Sequence, residues 1–188
     1  ELAVCTLEKM QQEKPRFNHG FTIEHFGFST PEQVNRIAKL GGNVSANVYY
    51  LYELSNRYAT HGVGYERAYT MSRLGSCVKS GIMTAIHSDF PMAPATPLRN
   101  AWIASTRENA VGDIVSAEES LTVYDALKAI TIDAAHLIGL ADEVGSIRAG
   151  KRADFTVVDR DPLVEGSEAL REAKVKATVF QGEVFEVL

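Results

Sequence analysis

Ile82-Met83-Thr84-Ala85-Ile86-His87-Ser88-Asp89-Phe90-Pro91 decides the fold of this chain. Its first five residues follow Gly81 as a near-continuous apolar run, the pattern of a strand buried on both faces of a parallel sheet. His87 and Asp89 then stand where that strand ends. Upstream, residues 16–26 form a second extended apolar stretch, and it too closes on a histidine, in Ile23-Glu24-His25.

Between these two points the pattern alternates. Ser29-Thr30-Pro31-Glu32-Gln33 supplies an N-cap, a proline at the first helical position and a Thr30/Gln33 capping box, so a helix starts here. It carries Val34, Ile37 and Ala38 on one face and stops at Gly41-Gly42, after which residues 43–48 read as a strand. Residues 49–65 are a longer, tyrosine-rich connection. The next segment places Ala68, Met71, Leu74, Gly75 and Val78 on one helical face and ends at Gly81. Three strands alternating with helices predict an α/β fold with right-handed βαβ crossovers.

Outward from the deciding stretch, residues 1–14 read as a helix, as do 94–107 and 122–140. In the last of these Val123, Ala126, Leu127, Ile130, Ala134, Leu137 and Ile138 make one stripe while His136 points away from it. From Gly145 the period changes to two. Residues 154–159 form a strand, and 174–187, broken at Gln181-Gly182, a β-hairpin. The chain therefore divides into an α/β part, residues 1–144, and a β-rich part, residues 145–188.

Composition narrows the partners. With 188 residues, 45% hydrophobic and 23% charged, the chain suits one sizeable core. It holds no run of eighteen apolar residues, and its first residues lack both a basic and a long apolar region, so neither a membrane nor a secretory reading is supported and the cytoplasm is the expected compartment. A formal charge of −5 argues against a nucleic-acid partner. Cys5 and Cys77 lie far apart without metal-ligand spacing and are expected to be buried, reduced thiols. The chain begins on glutamate and runs straight into a helix, as the later part of a longer protein would.

In a parallel α/β barrel the catalytic groups come from the C-terminal ends of several strands, because the loops there open a pocket. His25 and Asp89 both occupy such ends. A neutral imidazole and a carboxylate suit a borderline divalent ion such as zinc, and an aspartate beside a metal-bound water can take its proton and pass it to a leaving group. Taken singly, a strand-end His or Asp is more often a capping group; the pair on one sheet is the stronger signal. His87, two residues before Asp89, is either a donor that orients the site or a satisfied core histidine. Asn47, Tyr49 and Tyr50 close the middle strand as substrate-lining or packing residues. His19 and His61 read as loop residues, and Arg99 and Trp102 as rim groups or as surface charge and core.

Thr22-Ile23-Glu24-His25, His87-Ser88-Asp89-Phe90-Pro91, Ala126-Leu127-Lys128-Ala129-Ile130-Thr131-Ile132-Asp133-Ala134-Ala135 and Gly145-Ser146-Ile147-Arg148-Ala149-Gly150-Lys151-Arg152-Ala153-Asp154-Phe155 together resemble the amidohydrolase superfamily, within it the YtcJ-type branch that includes formamide deformylases. The resemblance spans residues 16–182. It implies a distorted (β/α)8 TIM barrel with one or two divalent metal ions, zinc being the expected one, and a composite β-sandwich-like domain. The implied reaction is hydrolysis of an amide or related C–N bond of a small-molecule substrate by metal-activated water. By the same resemblance His25 matches the metal-binding histidine ending the sixth barrel strand. Asp89 matches the aspartate ending the eighth, a metal neighbour and the catalytic proton shuttle. Asn47, Tyr49 and His87 are the expected substrate-binding residues, and Asp154 with its neighbouring glycines belongs to turns and strands rather than to a phosphate site.

The ligands that this family draws from its first, fourth and fifth strands have no counterpart here. The expectation is thus the C-terminal part of a TIM-barrel metal-dependent hydrolase, followed by a small β-rich segment of the composite domain, with a metal site incomplete in this chain. Exposed strand edges then predict self-association or pairing with the missing half of the barrel. Two rivals stand beside this reading: a non-catalytic regulatory or binding protein on the same fold, and a deaminase acting on a ring amidine.

Overall fold

Strands β1 (Thr22–His25), β2 (Asn43–Asn47) and β3 (Thr84–His87) form a parallel sheet in the order β1-β2-β3 in the computed structural model, which describes residues 1–187 and leaves Leu188 outside. The parallel order follows from the helix between each pair of strands, which returns the chain to the starting edge of the sheet. Val44, Ala46, Thr84, Ala85 and Ile86 are buried, as expected for strands covered on both faces. The outer edges of β1 and β3 have no strand partner among the described residues.

Helix α1 (Leu2–Glu13) buries Val4 and Leu7 and packs on α2 (Pro31–Leu40). The start of α2 is the expected reciprocal capping box: Gln33 N donates to Thr30 Oγ1 at 3.2 Å, and Thr30 N donates to Gln33 Oε1 at 2.9 Å. Its end is Gly41 at φ 69°, the left-handed conformation that glycine enters without steric cost. Arg36 on α2 forks onto both oxygens of Glu8, at 2.7 Å each, and reaches Glu1, which fastens the two helices. Cys77 is buried as expected. Cys5 is exposed, because it lies on the outer side of α1 beside Arg36.

Three sequence readings are corrected. Residues 49–65 hold a π-helical turn (Tyr50–Leu54) that runs into α3 (Ser55–His61), with Leu51, Ser55 and Ala59 turned inward. The single helix expected from Ala68 to Val78 is two, α4 (Tyr65–Tyr69) and α5 (Leu74–Lys79), because the carbonyls of Tyr69, Met71 and Ser72 are taken by the Arg107 guanidinium instead of continuing the helix. The helix expected over 122–140 breaks into α7 (Val123–Ala129) and α8 (Ile132–Leu137), at Thr131 with φ −128° and ψ −98°. His136 is exposed as expected, but Ile138 has left the apolar stripe and is 69% exposed.

Helix α6 (Pro97–Thr106) buries Asn100 to Ala104 and, with α5, α7 and α8, packs against β3. A 3-10 turn (Ala117–Glu119) follows it. Beyond Gly145, β4 (Phe155–Val158), β5 (Val175–Phe180) and β6 (Glu183–Glu186) make an antiparallel sheet in that order, with the expected hairpin turning at Gln181 and Gly182, both at positive φ. Asp154 accepts from Gln181 N at 2.8 Å and so ties β4 to the hairpin tip. Two short helices, α9 (Pro162–Glu165) and α10 (Ser167–Glu172), separate β4 from β5. Helix α10 packs on α6, where Trp102 Nε1 donates to Glu168 at 3.1 Å and the Arg171 guanidinium covers the indole ring at 4.8 Å. Among the described residues no helix is long and apolar enough to cross a membrane.

Candidate active site

The three parallel strands end flush. His25 of β1 is in register with Ala46 of β2, and the next residue, Asn47, with His87 of β3, so the strand-end residues share one edge. There His25 Nε2 lies 3.2 Å from Asp89 Oδ2, across 64 residues of sequence. Both side chains are a little under half exposed, at 45% and 44%, which leaves them open to a ligand. Both also sit in the left-handed backbone region, His25 at φ 68° and Asp89 at φ 58°. This conformation turns the chain sharply off the strand, and histidine and aspartate are among the non-glycine residues that enter it most readily.

His87 stands beside the pair, its ring edge-on to that of His25 with centroids 5.3 Å apart. Its Nε2 is buried and has no hydrogen-bond partner among the described residues; Glu24 Oε2, at 3.8 Å, is beyond direct bonding range. Burial holds the His87 imidazole below its ordinary range, against the upward pull of the Glu24 carboxylate. Its Nε2 is left without a partner behind the His25 ring. The opposite wall is Tyr50, whose ring lies nearly parallel to that of His25 at 6.2 Å. Gly27 permits this approach, since a β-carbon there would stand 3.2 Å from Tyr50 Cδ2.

The other sequence candidates separate clearly. Asn47 is fully buried, with Oδ1 accepting from Tyr49 N at 3.0 Å and Nδ2 unpartnered; Tyr49 is buried in the core with its hydroxyl unpartnered. His19 is structural: Nδ1 accepts from Phe21 N at 3.0 Å, which leaves Nε2 to donate to Leu40 O at 2.8 Å. His61 lines an open groove with Tyr52, Glu53 and Asn56, away from the strand ends. Trp102 belongs to the core, and exposed Arg99 lies over the Tyr52 ring at 5.0 Å while donating to its hydroxyl.

Sequence reasoning missed Glu24 as a neighbour of His87, and missed Arg107 and Ser72. Arg107 is fully buried, and burial lowers its guanidinium to about 10. Nothing in Ala104-Ser105-Thr106-Arg107 distinguishes such a residue from a surface arginine ending a helix.

An imidazole nitrogen and a carboxylate oxygen converging at an accessible edge fit two donors of a zinc-type ion. Among the described residues no group of three His, Cys, Asp or Glu side chains converges, so the fit is to part of a site.

A family model described as "Amidohydrolase family" matches residues 3–185. The N-substituted formamide deformylase of Arthrobacter pascens is 31% identical over 163 residues, covering 85% of this chain and 30% of that protein. The putative amidohydrolase YtcJ of Bacillus subtilis is 30% identical over 125 residues, covering 65% of this chain and 24% of that protein. Among solved structures, an uncharacterized metal-dependent hydrolase from Pyrococcus horikoshii OT3 matches with a TM-score of 0.70 at 24% identity, over 87% of this chain and 32% of that one. The chain thus spans no more than about a third of the length of these relatives.

Proposed function

Because the chain belongs to the amidohydrolase family, we propose that it carries the C-terminal half of the active site of a metal-dependent hydrolase, acting on a C–N bond of amide or formamide type in a small molecule. The observation that carries this reading is the His25–Asp89 pair, brought to 3.2 Å at the flush ends of a parallel sheet and left accessible. The name of the Arthrobacter pascens relative supports the bond type.

His25 Nε2 and Asp89 Oδ2 would hold one divalent ion, zinc suiting an imidazole and a carboxylate best. Bound there, such an ion supplies Lewis acidity and lowers the pKa of coordinated water. Asp89 takes on its carboxylate the proton released by the attacking water and delivers it to the leaving nitrogen, a role that its exposure at the open edge supports. His87, edge-on to the His25 ring, backs the substrate side of the site, and Tyr50 offers an aromatic wall. Asn47 and Tyr49 hold buried polar groups in reserve behind the strand ends. Residues 1–144 then belong to a (β/α)8 barrel and 145–188 to the composite β-domain, in a cytoplasmic enzyme whose remaining ligands come from outside this chain.

The test is elemental metal content, measured on this chain and on a longer protein that contains it. Stoichiometric zinc in the longer protein, lost with His25→Ala, is the expected result; no metal in either would overturn the reading. A second reading, a regulatory protein that keeps the fold without the chemistry, draws on the lack of a third converging ligand among the described residues. It predicts no metal and no turnover in the longer protein.

A further inference from the structure

We propose that Arg107, acting through Ser72 and Arg73, is a positioning residue for His25. The proposal takes its functional importance from the reading of His25 as a metal ligand, while the geometry behind it stands separately.

Arg107 has no exposed surface and no carboxylate within hydrogen-bonding distance among the described residues. Burying a guanidinium is costly unless its donors are satisfied, and here backbone carbonyls satisfy them. Nε donates to Val115 O at 2.6 Å, one terminal nitrogen to Ser72 O at 2.9 Å, and the other to Met71 O at 2.9 Å and Tyr69 O at 3.2 Å. Two of these four carbonyls, those of Met71 and Ser72, belong to the break between α4 and α5, and a third, that of Tyr69, ends α4. The planar fork therefore dictates the path of residues 69–72.

That path ends at the site. Ser72 is bent to φ 50°, which aims its N–H at Gly27 O, 2.8 Å away, while its hydroxyl makes a long 3.4 Å bond to Asn47 O at the end of β2. The next residue, Arg73, donates from Nε to Ser29 O at 3.0 Å. Two consecutive residues of the break thus grip the turn that starts two residues after His25. Gly27, in the grip, abuts the Tyr50 ring, and that ring stacks on His25. From the guanidinium to Gly27 the route runs through backbone groups, which have few alternative arrangements, and the Tyr50 ring carries it on to the imidazole.

A purely structural arginine would lower stability without touching His25 in the folded state. The 188-residue chain, labelled at its histidine rings, separates the cases by NMR of the His25 Cε1–H resonance, recorded well below each variant's Tm. Arg107→Lys keeps the charge, but one ammonium cannot span four carbonyls; Arg73→Met removes only the bond to Ser29 and the pairing with Glu119. Asp154→Ala, which loosens the remote antiparallel sheet, is the stability control. We expect the His25 resonance to shift or broaden in Arg107→Lys, to move less in Arg73→Met, and to stay in place in Asp154→Ala, with His136 unchanged throughout. An unmoved His25 resonance in a folded Arg107→Lys overturns the proposal, as does equal movement in Asp154→Ala. If Arg107→Lys does not fold, an unmoved resonance in Arg73→Met overturns it alone. The measurement needs neither metal nor turnover, so failure of the hydrolase reading leaves it intact.

Discussion

Gly75 faces the backbone of Glu119 so closely that a β-carbon on it would stand 2.8 Å from Glu119 Cα and 2.9 Å from Glu118 O. The contact joins α5 to the 3-10 turn after α6 and lets Glu119 accept from Ser76 N at 2.7 Å and from Ser76 Oγ at 2.6 Å. Alanine in a helix is worth about 1 kcal/mol over glycine. Overpacking against a backbone that cannot yield costs about 1–3 kcal/mol. Because only backbone atoms meet the new carbon, the cost falls at the upper end of that range, and Gly75→Ala should lower the free energy of unfolding by about 1–2 kcal/mol, read from urea denaturation. An unchanged or raised midpoint would show that the turn gives way.

Asp89→Asn keeps the size of the side chain and removes its proton-accepting charge. The Asp89 side chain bonds only His25 among the described residues, so stability should change by less than about 0.5 kcal/mol. In a longer protein that contains this chain, kcat should fall by about 10²- to 10⁴-fold. Turnover at the native rate would remove Asp89 from the mechanism.

The two thiols should behave in opposite ways. Cys5 is exposed and should react at once with a disulfide reagent at pH 8, whereas Cys77 should react only as the chain unfolds. Burial pushes the Cys77 thiol from its ordinary value of 9.0 up to about 12. Between those values the unfolded chain has lost a proton that the folded chain keeps. Stability is therefore whole below pH 9 and declines above it, by at most about 1.4 kcal/mol per pH unit from this group. Cys77→Ala should flatten that slope, and two equally fast thiols in the native chain would contradict the burial.

Asp154 is held below the usual carboxylate range by the Gln181 N–H first and by Arg152 second. Its unfolded form binds a proton at a higher pH than its folded form. The stabilisation it gives the hairpin is therefore present above the ordinary value of 3.8 and lost as pH falls through the lowered one. Hydrogen-exchange protection at the Gln181 amide should drop in that acid window, and Asp154→Ala should lack the protection at neutral pH as well.

The outer edges of β1 and β3, without a strand partner among the described residues, offer backbone groups to another chain. Sedimentation of the isolated chain should show mass rising with concentration, and a single monomeric species throughout would argue that the edges are protected.

The parallel sheet and the strand ends that carry His25 and Asp89 were legible because apolar runs, a capping box and terminal glycines all point the same way at residues 22–47 and 82–89. Helix continuity was not. The breaks at Ser72 and Thr131 interrupt segments whose apolar spacing is helical, and the first is imposed by Arg107, a residue more than thirty positions downstream. Periodicity reads neighbours along the chain and cannot register a guanidinium arriving from another helix. The left-handed turns at His25 and Asp89 were equally invisible, since neither residue is the glycine that usually announces them.

Those two turns bind the proposed chemistry and the chain path together. At residues 25 and 89 the backbone conformation suits glycine best, and histidine and aspartate stand there at a steric cost that glycine would not bear. Under the proposed hydrolase reading, a descendant that gave up the reaction would lose the demand for imidazole and carboxylate while keeping the demand for a left-handed turn. Drift at these points should then run toward glycine and asparagine rather than at random, so that the residues found there would record whether a lineage still works as a catalyst or has kept only the shape.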